Sequence, residues 1–284
     1  MVTHNKKKWL CGIVALIAAS VPVYVHAARN ITLPHEERFE TSAWTSDLRW
    51  AGQGGTATWD QAGGWRNSGA VKITPPRLNE GYAGLGQFQG FGDQTHFNVR
   101  FLAWFGSSYA DKAQGVKHII VHRGSALRPM DIEDGNVVNG ERQKFWRPCL
   151  GTTCALHNPG NRYDQPFYVS RTSRVNEWVS FEFETDLVAG RVNLYIHTQD
   201  GRVSGLYSSF DMSQEETPPH TNNPVTQLQG IGFYWGTPSE HAPVSTRDEN
   251  TYMKIDEVRI DNRYIGPPAG FLGDPQPSVP AISR

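Results

Sequence analysis

Six side chains able to move a proton or pair with an anion lie in stretches that alternate like β-strands: Arg100, His118, His122, Tyr195, His197 and Tyr234. Lys117-His118 and His122-Arg123 flank one of these stretches, so either parity presents two charged or titratable groups. These types suffice for elimination beside a carboxylate. That reaction needs a cation to neutralise the acid, a His, Tyr or Lys base for the α-proton, and a donor for the leaving oxygen. In this division of labour His118 or His122 is the base and Tyr195 or Tyr234 the donor. Arg100, with Lys117 or Arg123, pairs with the carboxylate, His197 adds a polar contact, and Trp104 and Tyr234 offer rings for stacking. The competing reading is plain: strand residues satisfied by hydrogen bonds in or beside a core.

The elements that must position them are strands. Helical periodicity is almost absent, and short runs rich in Phe, Tyr, Trp, Val and Ile alternate between Gly, Pro, Asn and Asp clusters. Over 97–105, Phe97, Val99, Phe101, Ala103 and Phe105 share one face, with Arg100 and Trp104 on the other. In the run 116–123, His118, Ile120 and His122 share a face. Over 178–185, Val179, Phe181 and Phe183 point one way and Ser180, Glu182 and Glu184 the other. In 191–198, Val192, Leu194 and Ile196 oppose Asn193, Tyr195 and His197, and Asp200-Gly201 then suits a tight hairpin turn. Runs 230–236 and 252–260 complete the set. Strands at this density imply an antiparallel sandwich or barrel. The polar stretch 130–165 reads as a long ordered loop carrying Trp146.

Lys6, Lys7 and Lys8 precede an apolar run from Trp9 to about Ala19, and Val25-His26-Ala27 fits a cleavage site. Residues 1–27 are expected to be a secretory signal, which places the rest in a periplasm or outside the cell. The chain has 27 basic and 28 acidic residues. Removing three lysines leaves 24 against 28, a net charge of −4, which argues against nucleic acid as a partner. No later run approaches a membrane span. Cys149 and Cys154 would form a small disulfide in an oxidising compartment. Residues 28–266 read as one domain and 267–284, rich in Pro and Gly, as a flexible tail.

Three stretches together resemble the concanavalin A-like lectin/glucanase jelly roll. They are His35-Glu36-Glu37-Arg38-Phe39-Glu40 with Gly63-Gly64-Trp65 beyond it, Asn176-Glu177-Trp178 leading into two strands, and the closing Ile255-Asp256-Glu257-Val258-Arg259-Ile260. The resemblance covers about residues 35–266 and implies an all-β, antiparallel jelly-roll β-sandwich. It also implies a polysaccharide ligand held on a concave sheet face, and a structural Ca2+ bound by Glu40 and Asp256, since hard cations prefer oxygen ligands. A retaining glucanase of this type needs alternating acids about 5 Å apart. Glu182-Phe183-Glu184-Thr185-Asp186 is the nearest match, but Leu187 stands where the last acid is required, so this run reads as a solvated strand face. Three functions remain open: lyase-like cleavage of a uronate-containing polysaccharide, carbohydrate binding without cleavage, and a cell-envelope interaction protein.

Overall fold

A computed structural model describes residues 28–52, 55–75, 82–109, 117–122, 127–138, 141–146, 165–166, 175–211, 225–234 and 248–273. The strands in chain order are β1 (Ala28–Asn30), β2 (His35–Glu37), β3 (Arg49–Gly52), β4 (Thr56–Asp60), β5 (Ala70–Thr74) and β6 (Tyr82–Leu85). There follow β7 (Gln87–Gln94), β8 (His96–Phe105), β9 (Lys117–His122), β10 (Leu127–Val138), β11 (Glu141–Trp146) and β12 (Gln165–Pro166). The last are β13 (Trp178–Asp186), β14 (Arg191–Thr198), β15 (Ser204–Asp211), β16 (Val225–Tyr234) and β17 (Met253–Asp261).

They form two sheets. Sheet A runs β1-β7-β16-β9-β10-β11-β12, with β6 also on β16 and β3 on β6. Sheet B runs β15-β14-β13-β8-β17-β5-β4, with β2 also on β17. All pairings are antiparallel except the short β1–β7 contact.

The period-2 alternation read from the sequence puts Phe97, Val99, Phe101 and Phe105 of β8, Val179, Phe181 and Phe183 of β13, and Val192, Leu194 and Ile196 of β14 into the core. Sheet A contributes Phe88, Leu228 and Ile231 from the other side. Burial of each large side chain is worth about 1.5–3 kcal/mol. A one-residue slip of any of these strands would turn its apolar set outward, so the register is firmly held.

Two segments differ from expectation. Residues 127–138 and 141–146 are not loop but strands β10 and β11, paired from Ile132 with Trp146 to Val138 with Glu141. Trp146 lies fully buried in the core, edge-on to Phe210 at 5.0 Å between ring centres. The chain also does not trail off at Gly266. It continues packed to Gly273, whose N–H donates to the Gln199 carbonyl at 2.7 Å. Cys149, Cys154, Arg123 and the signal-like residues 1–27 lie outside the described residues.

Candidate functional site

The sequence candidates fall on two different sheets. Arg100 and Trp104 (β8), Tyr195 and His197 (β14) lie on the outer face of sheet B, opposite the core residues of the same strands. Lys117, His118 and His122 (β9) and Tyr234 (β16) belong to sheet A. The pairing of Arg100 with Lys117 on one ligand is therefore not what the fold arranges, and the sandwich core stands between the two groups.

On sheet B, cross-strand register builds a row from Tyr195 through Glu182 and Arg100 to Arg259 and Glu36. The expected solvated face is instead covered. Residues 262–273 cross it as a strap, and Glu182, fully buried, accepts hydrogen bonds from the successive N–H groups of Ile265 and Gly266 at 2.8 Å each. Gly266 has a φ of +73°, a left-handed conformation that glycine adopts without strain. Burial raises the Glu182 carboxyl pKa, opposed by the two backbone donors and by Arg100.

Farther along the strap, Phe271 is fully buried in a second apolar cluster with Trp65, Ala70, Leu102 and Trp178. Trp104 packs against that cluster, its ring centre 5.8 Å from that of Trp178, rather than standing free for a ligand. Tyr195 donates to Glu184 at 2.7 Å and packs on Tyr264 at 4.9 Å. Glu184 also accepts from Asn193 at 2.8 Å and lies 2.8 Å from His96 Nε2. Burial alone would raise its pKa, but these three partners together hold it low. His197 contacts Ser204 at 3.0 Å and Tyr264 at 3.3 Å, and burial lowers its pKa. Tyr195 and His197 are thus committed to holding sheet B and its strap together.

A bulge in β17 sets the acids of this face. Register with β8 shifts between Asp256 and Arg259, and Glu257 takes a φ of +50°. Two successive carboxylates therefore serve the outer side, while Val258 and Ile260 return to the core. Asp256 accepts from the Trp65 N–H at 3.0 Å, the Ser68 hydroxyl at 2.7 Å and the Glu257 N–H at 2.7 Å. Glu40 lies exposed beyond β2. The pair does not fit a Ca2+ site as placed, because hydrogen-bond donors already face both Asp256 oxygens. Among the described residues no three His, Cys, Asp or Glu side chains gather as a metal site would require.

Burial pushes the Asp256 carboxyl up to about 7 against the pull of its three donors, the Ser68 hydroxyl foremost. With the folded pKa above the unfolded one near 3.8, the native state holds the extra proton between those values. Stability contributed by Asp256 is then greatest below about pH 4 and declines as pH rises to about 7. Urea melts of wild type and Asp256→Asn across this range should show the wild type losing ground to the variant with rising pH. A constant difference would refute the assignment.

On sheet A the structure gives register. β9 lies between β16 and β10, with Tyr234 opposite Lys117, Phe233 opposite His118, Ile231 opposite Ile120 and Leu228 opposite His122. Ile231 and Leu228 are core residues. Sequence reading recognised these strands separately but had no signal for their adjacency, since they are far apart in the chain.

No protein-family model matches the sequence, and no curated protein matches it. Solved structures do. The cellulose-induced protein Cip1 aligns at 14% identity with a TM-score of 0.51, covering 82% of this chain and 99% of that one. An endo-1,3-beta-glucanase from Streptomyces sioyaensis aligns at 12% identity with a TM-score of 0.50, covering 80% and 94%. The botulinum neurotoxin serotype D binding domain aligns at 13% identity with a TM-score of 0.40, and this chain spans only 45% of its length. At these identities the likeness concerns architecture alone: the fold is an antiparallel jelly-roll β-sandwich.

Proposed function

We propose that this chain acts outside the cytoplasm on an acidic, uronate-containing polysaccharide, which it engages on sheet A and cleaves by β-elimination. The observation that carries this reading is the β9–β16 pairing, which brings Lys117 and His118 into register with Tyr234 and Phe233. Opposed residues of paired strands share a face, so Lys117 and Tyr234, a cation and a proton-transfer group from distant parts of the chain, come together on one face of the sheet. The jelly-roll architecture shared with a glucanase supports a glycan ligand by analogy of fold. The roles divide as the chemistry requires. Lys117 neutralises the uronate carboxylate and lowers the acidity barrier at the neighbouring carbon. His118 and His122 share the opposite face with Ile120, so Tyr234, as phenolate, removes that α-proton, the bond to the leaving oxygen breaks as a carbon–carbon double bond forms, and the resulting phenol returns the proton to the departing oxygen.

A second reading, carbohydrate binding without cleavage, is favoured by one detail: His122 holds register with the core residue Leu228. Incubation with a panel of uronate polysaccharides, with and without a chelator, separates the two. Growing ultraviolet absorbance from unsaturated uronates is expected, and Tyr234→Phe should cut turnover about 10²–10⁴-fold while sparing retention on the polysaccharide. A flat wild-type trace with retention would select the binding reading, and absence of retention would refute both.

A further inference from the structure

We propose that the groove between the strap and the outer face of sheet B is an oxyanion site, taking the carboxylate or sulfate of a sugar-sized ligand through the Arg100 guanidinium. The proposal does not rest on the sheet A reading, and either can fail alone. The groove has a volume of about 630 Å³, within the range of small-ligand pockets, and strap residues 265–269 form one wall.

Its floor is chemically one-sided. The Arg100 side chain is only 3% exposed, and its Nε and Nη1 have no hydrogen-bond partner among the described residues. The nearest carboxylate oxygens, on Glu257 and Glu36, stand 3.8 and 3.9 Å from the guanidinium, in Coulomb range but too far for a hydrogen bond. Buried polar groups are ordinarily hydrogen-bonded, and guanidinium N–H groups offset only by carboxylates at this range are a costly exception. Two further donors lining the groove, Trp65 Nε1 and Arg259 Nε, are also buried without an acceptor. Each buried unpaired side-chain atom around this groove is a donor, and none is an acceptor.

What these donors lack is a ligand rich in lone pairs. Arg38 and Arg66 also line the groove, bringing the cations to four against the three carboxylates Glu36, Glu40 and Glu257. Glu182, opposite Arg100, is a fourth carboxylate, but its oxygens already serve the strap N–H groups, and a guanidinium donates stronger, charge-assisted hydrogen bonds to a carboxylate or sulfate oxygen than to a neutral hydroxyl. A neutral sugar would offer these donors only uncharged, weaker acceptors.

Calorimetric titration of the full chain at constant ionic strength, with sodium sulfate, glucuronate and glucose as probes, tests this. Saturable binding of sulfate or glucuronate, but not glucose, is expected. Sulfate alone would identify a free oxyanion as the ligand, and glucuronate a sugar acid. Arg100→Gln and Arg259→Gln should each weaken that binding about tenfold or more, as loss of a charge-assisted hydrogen bond implies. Should Arg100→Gln not fold, the partly exposed Arg259 and Arg38 carry the test through Arg259→Gln and Arg38→Gln. Arg202→Gln, an exposed arginine on the turn between β14 and β15, should leave the affinity unchanged. No saturable anion binding, equal binding of glucose, or an affinity indifferent to the Arg100, Arg259 and Arg38 variants would each overturn the proposal.

Discussion

Replacing Glu182 by alanine is expected to destabilise the protein by about 3–5 kcal/mol, read as a lower urea midpoint at unchanged slope. Three losses coincide at this one side chain. The N–H groups of Ile265 and Gly266 lose their acceptor, a buried cavity opens, and Arg100 loses a neighbouring counter-charge across the strand pair. Each orphaned N–H alone costs about 1–3 kcal/mol unless water replaces the carboxylate. Glu182→Gln keeps the volume but turns one acceptor into a donor facing an N–H, so it should recover only part of the loss. Hydrogen exchange gives a second readout: the Ile265 and Gly266 amides should lose protection in both variants. Wild-type stability with those amides still protected would show that the strap is held by something else.

Phe271→Ala is expected to cost about 3–5 kcal/mol, as much as removing a phenylalanine from the main core. Its ring is fully buried on the outer face of sheet B, 5.7 Å from the Trp65 ring, and plugs a cluster that also seals Leu102 and Trp178. Its neighbour Leu272 is 47% exposed, so Leu272→Ala should fall within about 0.5 kcal/mol of wild type. Equal effects of the two substitutions in urea unfolding would remove the plug from the account. Because Glu182 and Phe271 hold one segment, the double variant should lose less than the sum of the two single losses.

Much of the architecture was legible because it rests on period-2 alternation. The inward sets of β8, β13 and β14 could be read residue by residue from Phe97 to Ile196. The β10–β11 hairpin was missed because its strands are polar, although Asn139-Gly140 between them is a strong hairpin signal. The strap was missed for another reason. Pro267, Pro268 and Gly270 forbid regular structure, but forbidding a helix or strand does not forbid packing, and a single Phe271 among them was the sign of an anchor. The site divided for a reason no local pattern carries: alternation says which residues share a strand face, never which sheet a strand joins. Arg100 and His118 look equivalent in sequence and belong to opposite layers. Glu182 looked solvated because its burial depends on residues more than eighty positions later.

The placement of β17 has a consequence for how the chain reaches its folded state. This last strand is inserted in the middle of sheet B, with β8 along one side and β5 and β2 sharing the other. Until residues 253–261 are available, β2 and the β4–β5 pair have no strand to join them to the β8–β13–β14 ribbon. Sheet closure waits on contacts between the two ends of the chain, a topology that folds slowly and all at once. A nascent chain that has not yet presented residues 253–261 would lack the keystone of that sheet, and would stay pliable until that segment is delivered.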